Sequence, residues 1–243
     1  MQSNNGSERY EYMQLKPPVL DRRLSMIYSL VPEGCIPADV GTDHAYLPCS
    51  LIMTGRVGYC IASDVAQGPF GNAVRTIRNY GLENRISCFL SDGTKSLPAE
   101  KYDTLIIAGM GGELIRDILE QTEALRRKYL VLQPMTHDED LRRFLSENGF
   151  SVGNELAVLE NNKVYIAYTA SYHDGAERSE DGFFLYYGGY AGHTDEASER
   201  YVQKQTARLL SRLNGLKDSS SDCRDENDRI QKILNDDRLE RFL

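Results

Sequence analysis

The chain has no apolar run approaching the roughly 20 residues that a membrane-crossing helix requires. Its first twenty residues, MQSNNGSERYEYMQLKPPVL, are too polar for a signal peptide. A cytoplasmic protein that meets no membrane is therefore expected. Cysteine is sparse and irregularly placed: Cys35, Cys49, Cys60, Cys88 and Cys223 form no C-x-x-C, and no histidine pair stands at zinc-ligand spacing. This excludes a disulfide framework, gives no reason to expect a metal, and leaves the thiols as reduced, mostly buried small hydrophobes. Positive charge is also short, with a formal net charge of −8. Neither the first 176 residues nor the remainder is basic overall, so phosphate neutralisation is not written into the global composition. Local basic clusters do occur: Arg22 with Arg23, Arg75 with Arg78, Arg126-Arg127-Lys128, and Arg142 with Arg143. Taken singly, each reads as a solvated helix face. No repeat of solenoid type is present.

What the chain does have is 243 residues with 41% hydrophobic content, enough for one large domain and a smaller appendage. After a polar leader, 1–19, Leu20 to Val31 has helical apolar spacing. Strand-like segments follow at Ile36–Val40, Tyr59–Ser63, Ile86–Leu90, Leu105–Ala108 and Leu130–Gln133. They alternate with helical ones at Leu47–Met53, Gly71–Tyr80, Gly112–Leu119 and Asp138–Glu147. Five successive βα units predict a parallel sheet covered on both faces. Ser151–Leu159 and Val164–Tyr172, joined by the turn sequence Glu160-Asn161-Asn162-Lys163, then read as a closing hairpin. The expected fold class is α/β: a Rossmann-like, seven-stranded sheet with a terminal β-hairpin, spanning 20–175. Residues 176–243 form a small C-terminal helical domain in this reading. There Val202, Leu209, Leu213 and Leu216 make one apolar stripe, Lys217 to Asp222 break it, and Ile230, Ile233 and Leu234 begin a second. An ordinary packed helical pair is the safer expectation, because the repeat is too short for a coiled coil.

The chemistry is concentrated at strand ends. The first strand runs into Asp39-Val40-Gly41-Thr42-Asp43-His44-Ala45, a strand-to-helix turn where a glycine admits a ligand to the backbone. The full G-x-G-x-x-G pattern is missing, since Asp43 and Ala45 occupy the later glycine positions. Two carboxylates here would repel a pyrophosphate but suit the sulfonium and ammonium of S-adenosyl-L-methionine. Asp64 closes the second strand, where an acid can accept from ribose hydroxyls, and Asp92 with Gly93 closes the third. Any one of these acids alone is an ordinary turn former or cap; three at successive strand ends outline one crevice. The fourth strand ends in Ala108-Gly109-Met110-Gly111-Gly112, whose glycines permit a flat ring or a methyl donor to lie against the main chain.

The strings LDRRL, ADVGTDHAYLP, SDVAQGP, SDG and IIAGMGGELI, taken together, resemble the TrmK family of bacterial tRNA methyltransferases. The similarity extends from about Leu20 to Tyr172. The resemblance implies a class I methyltransferase that uses S-adenosyl-L-methionine to methylate N1 of adenine 22 in tRNA, with a Rossmann-like catalytic domain and a coiled-coil-like helical tail. By position it implies that Asp39, Gly41, Asp43 and His44 line the methionine end, Asp64 the ribose, and Asp92 and Gly93 the adenine. Ala108, Gly109, Met110 and Gly111 would face the reacting centre, with Arg23 a partner for the cofactor carboxylate. Asp43 and His44 are the expected catalytic residues. The chain departs from the family where Tyr187-Gly188-Gly189-Tyr190 replaces a Phe-Gly-Pro-like entry to the tail, and where Asp64 stands at a position often Glu. Two other readings stay open: an NAD-dependent oxidoreductase, and a non-catalytic module binding the cofactor or RNA. The oligomer is expected to be no larger than a monomer or weak dimer.

Overall fold

The computed structural model describes residues 15–174, 181–216 and 224–242, without the side chains of Leu216 and Arg224. Most of the leader, Cys223, the 175/176 domain boundary and the break at Lys217 to Asp222 lie outside these residues.

Seven strands form one sheet: β1 Pro37–Val40, β2 Cys60–Asp64, β3 Ile86–Leu90, β4 Thr104–Met110, β5 Tyr129–Pro134, β6 Phe150–Glu160 and β7 Lys163–Tyr172. Their spatial order is β3-β2-β1-β4-β5-β7-β6. The first five are parallel, and β7 runs antiparallel between β5 and β6. The strand order reverses between β1 and β4, and in open α/β sheets ligands bind at the carboxyl ends beside such a switch point.

Strands β1 and β2 are buried along their length, and alternate side chains of the sheet supply two separate cores. Ile106 and Val131 point to one face, with α1 (Arg22–Leu30), α2 (Tyr46–Met53) and α3 (Gln67–Asn79). Leu105, Ile107, Leu130 and Leu132 point to the other. That second face is covered by α4 (Gly112–Glu120) and α5 (Asp138–Glu147), and by three later helices: α6 (Gly182–Tyr187), α7 (Glu196–Leu216) and α8 (Arg224–Leu234). Val202, Leu209, Leu213, Ile230, Ile233 and Leu234 of the expected stripes join the same hydrophobic cluster as the sheet.

The structure adds two local features to the sequence reading. Helix α3 begins at Gln67, one turn before Gly71, because Pro69 falls in its first turn, where a missing N–H costs nothing. Asn161 and Asn162, with φ of 49° and 60°, make a two-residue hairpin loop of the kind whose twist matches the flanking strands.

Two basic clusters do not lie wholly on solvated faces. Lys128 is buried over the Tyr102 ring at 4.0 Å and donates to the Tyr102 carbonyl at 2.6 Å. Arg142 is fully buried, with its Nη1 2.6 Å from Glu155 Oε1 and its guanidinium 4.4 Å from the Tyr168 ring centre. A β-bulge explains the pairing: the four residues of β6 from Val152 to Glu155 oppose the three of β7 from Ala170 to Tyr168. The extra residue reverses the alternation and turns Glu155 to the face that carries Tyr168 and Arg142.

Candidate active site

The turn after β1 is wound tightly. Gly41, Asp43 and Ala45 all have positive φ (76°, 51° and 54°), and the N–H groups of Gly41 and Thr42 both donate to the Ser63 carbonyl at 2.9 Å. Gly41 is favoured by its left-handed backbone, and the terminal methyl of Met110 fills the space a Cβ would take. The loops after β1 and β4 are thus in contact across the switch point.

Asp39 is buried at the end of β1 and accepts from the Thr42 hydroxyl at 2.6 Å. Burial pushes its carboxyl up to about 6, against the lowering effect of the Thr42 hydrogen bond and the Arg23 charge; the charge of Asp64 pushes it further up. Asp64 braces two loops, its Oδ2 accepting from the Asp43 N–H at 3.2 Å and its Oδ1 from the Ala66 N–H at 3.0 Å. Asp43 points its side chain outward, 62% exposed, with its Oδ2 3.7 Å from His44 Nε2. The His44 ring lies nearly parallel to that of Tyr46, with centres 5.2 Å apart.

Arg23 reaches this turn from α1, whose first turn is capped by Asp21 accepting from the Leu24 N–H at 2.7 Å. Its Nη1 donates to Gln133 Oε1 at 3.1 Å, and the same oxygen accepts from the Gly109 N–H at 3.1 Å. Gly109, at φ 78°, is the irregular point in the β4–β5 ladder. Beyond it the Met110 carbonyl accepts from the Met135 N–H at 2.8 Å, and the Gly112 N–H donates to the Thr136 carbonyl at 2.7 Å. The turns after β4 and β5 are therefore tied directly together. A Cβ on Gly112 would strike the backbone of Thr136 and His137.

A cavity of about 110 Å³ is lined by Arg23, Asp39, Gly41, Asp43, His44 and Tyr46, with Ala108 at its border. Apart from Tyr46 these are expected site residues, and they come together. Asp92 and Gly93 stand apart, at the end of β3. Asp92 is exposed and paired with Lys95 at 2.5 Å. Gly93 has φ 57°, and Ile118 packs 3.2 Å from where a Cβ would stand. Gly93 thus has a packing reason to be glycine.

Gln133, Thr42 and Tyr46 were not singled out from sequence. Gln133 had a readable signal, being the one polar residue of the otherwise apolar run Leu130 to Pro134.

Residues 20–167 match the family model described as a methyltransferase domain. The chain is 32% identical over 194 residues to the tRNA (adenine(22)-N(1))-methyltransferase of Bacillus subtilis, covering 78% of this chain and 81% of that protein. The crystal structure of the B. subtilis tRNA methyltransferase TrmK superposes with a TM-score of 0.77 at 25% identity, covering 89% of this chain and 99% of that one. A Streptococcus pneumoniae protein crystallised in complex with S-adenosyl-L-methionine superposes with a TM-score of 0.76 at 28% identity, over 89% of this chain and 100% of that chain.

Proposed function

Because this chain belongs to the TrmK family of tRNA (adenine(22)-N1)-methyltransferases, we propose that it methylates N1 of adenine 22 in tRNA, with S-adenosyl-L-methionine as donor. The observation that carries the reading is the acid-lined crevice at the β1/β4 switch point, with Arg23 on its far wall. The residues fit that cofactor. The buried Asp39 carboxylate suits a cationic methionine end, Arg23 suits its carboxylate, and Gly41 and Gly109 give the two turns the left-handed backbone that bends them around the crevice. When bound, the cofactor supplies an electrophilic methyl group on a sulfonium.

Asp64, Asp92 and Gly93 extend the cofactor site toward the ribose and adenine in this reading, while Ala108 to Gly111 face the reacting centre. Adenine N1 carries an in-plane lone pair and no proton, so the chain's main work is to hold the base in line, and such orientation supplies about 7 to 11 kcal/mol. N1 lies on the pairing edge, so the base must be swung out, at a cost of a few kcal/mol. Asp43 is the residue we assign to the exocyclic amino group, or to the positive charge that N1 acquires. His44 braces it or adds a second polar contact.

The dehydrogenase alternative gives way to the family. No helix among the described residues is long and apolar enough to cross a membrane, and tRNA as substrate supports a cytoplasmic setting. The test is transfer of labelled methyl from S-adenosyl-L-methionine to unmodified tRNA, followed by nucleoside analysis. N1-methyladenosine lost on mutation of adenine 22 is the expected result. Cofactor binding without a methylated nucleoside would leave only a binding module.

A further inference from the structure

A groove of about 800 Å³ runs between the tip of the β6–β7 hairpin and α7, floored by the segment after β5 from Pro134 to Asp138. Three exposed cations converge on it: Lys163 from the hairpin, and Arg200 and Lys204 from α7. The two on α7 are four residues apart and so share one helix face. Among the described residues none of the three has a carboxylate within ion-pair distance, whereas Arg208, one turn further on, is bonded to Glu139. Asp138, the carboxylate in the floor, is turned inward and buried, taking hydrogen bonds from Tyr201 and from Gln205 Nε2 at 3.1 Å. Glu160 and Glu196 border the adjoining depression. The Glu160 carboxylate there is occupied by the Arg22 N–H at 3.0 Å.

For a chain of net charge −8, uncompensated cations gathered in one concavity are a local exception that calls for a polyanion. The groove's position selects which one. Its floor is hydrogen-bonded to the turn after β4 through Met135 and Thr136, so a strand lying in the groove passes one loop away from the crevice. The Asp138 contacts to Tyr201 and Gln205 fix α7 to that floor, so the cations are held at a set offset from the reacting centre.

We propose that this groove seats the tRNA backbone flanking the swung-out adenine, with Lys163, Arg200 and Lys204 on its phosphates. The assignment rests on the function proposed above and adds the surface by which RNA is held. Contacts of this kind fix position and carry no sequence information.

The test measures binding of an unmodified tRNA transcript by the full chain across a potassium chloride series. Each phosphate contact removed takes about 0.7 to 0.9 from the slope of log Kd against log salt. The variant Lys163→Ala/Arg200→Ala/Lys204→Ala is expected to lower the slope by about 2 to 3. Its KM for tRNA should rise at least about tenfold, with melting temperature and S-adenosyl-L-methionine Kd unchanged. Arg75→Ala/Arg78→Ala, on α3 against the other sheet face, serves as control and should leave the slope as it was. A folded triple variant with the wild-type slope, or a control that falls as far, would overturn the assignment. If the wild-type chain methylates tRNA but the slope ignores the groove, the seat fails alone. If it binds tRNA through the groove yet forms no N1-methyladenosine, the seat stands and the reaction assigned above fails.

Discussion

Gln133 Oε1 and Arg23 Nη1 lie 3.1 Å apart, so a side chain from the end of β5 fixes the cation that α1 sends across the crevice. The same oxygen holds the Gly109 N–H at 3.1 Å, and Gln133 is fully buried. Replacing it with leucine removes the acceptor of the partly buried Gly109 N–H, a hydrogen bond worth about 0.5 to 1.5 kcal/mol. Gln133→Leu is therefore expected to lower unfolding free energy by that amount in urea. It should also weaken cofactor binding in calorimetry, because Arg23 loses its stop. Unchanged binding with reduced stability would separate Gln133 from the cofactor site.

Asp39 sets a pH dependence of defined sign. Its carboxyl is raised by burial from the ordinary value of 3.8 to about 6. Between those values the folded state holds more protons than the unfolded one, so its contribution to stability falls as pH rises through that window and is flat above it. The size is about 3 kcal/mol. Cofactor binding runs the other way, since a cationic ligand favours the ionised carboxylate: affinity should rise about tenfold from pH 5 to pH 7. Asp39→Asn should abolish both trends in titrations over that range. A wild-type pH profile in that variant would assign the titration to another group.

Asp43 and His44 are separable by turnover. Asp43 is outward-facing, and its carboxylate takes no part in holding the turn, which hangs on its backbone N–H to Asp64. Asp43→Asn should therefore keep the fold and the cofactor Kd while turnover at saturating tRNA falls by roughly 100-fold. His44→Gln should fall less, because the ring's close contacts are to Asp43 and Tyr46. Full turnover by Asp43→Asn with the cofactor bound would remove Asp43 from the chemistry.

The alternation of strands and helices was legible because both periodicities were clean: β1, β2 and β5 are buried runs and α4 and α5 amphipathic ones. The lining of the cavity after β1 was legible too, since Asp39, Gly41, Asp43 and His44 fall within six residues at one strand-to-helix turn. What sequence did not reveal depends on a third dimension. Arg142 and Arg143 look alike in a string, but only Arg142 meets a carboxylate inside, and only because one bulged residue in β6 turns Glu155 inward. Gln133 reaches Gly109 because β5 pairs with β4, a neighbour relation that local pattern does not contain. The groove beside α7 needs the hairpin tip and a helix some forty residues later to meet over the end of β5.

The departure at Tyr187-Gly188-Gly189-Tyr190 has its physical reason in the same buried pair, and this gives the last prediction. Gly188, at φ 55°, lies where any Cβ would press on both Glu155 and Arg142, and the Gly189 N–H donates to Glu155 Oε2 at 2.5 Å. The Arg142 guanidinium is also enclosed by the rings of Tyr168, Phe184 and Tyr190. Breaking such a pair from one side strands a charge in the interior, costing about 3 to 5 kcal/mol, whereas replacing both partners with apolar groups is often neutral. Glu155→Leu alone should thus be strongly destabilised in urea, and Arg142→Met/Glu155→Leu should recover most of the loss. The recovery will be slightly incomplete, because the exposed Gly189 N–H loses its protein acceptor, a hydrogen bond worth about 0.5 to 1.5 kcal/mol. Should the single and double variants unfold at the same denaturant concentration, the pair is not what locks the segment around Gly188 to α5, and packing of the surrounding rings must be doing so instead.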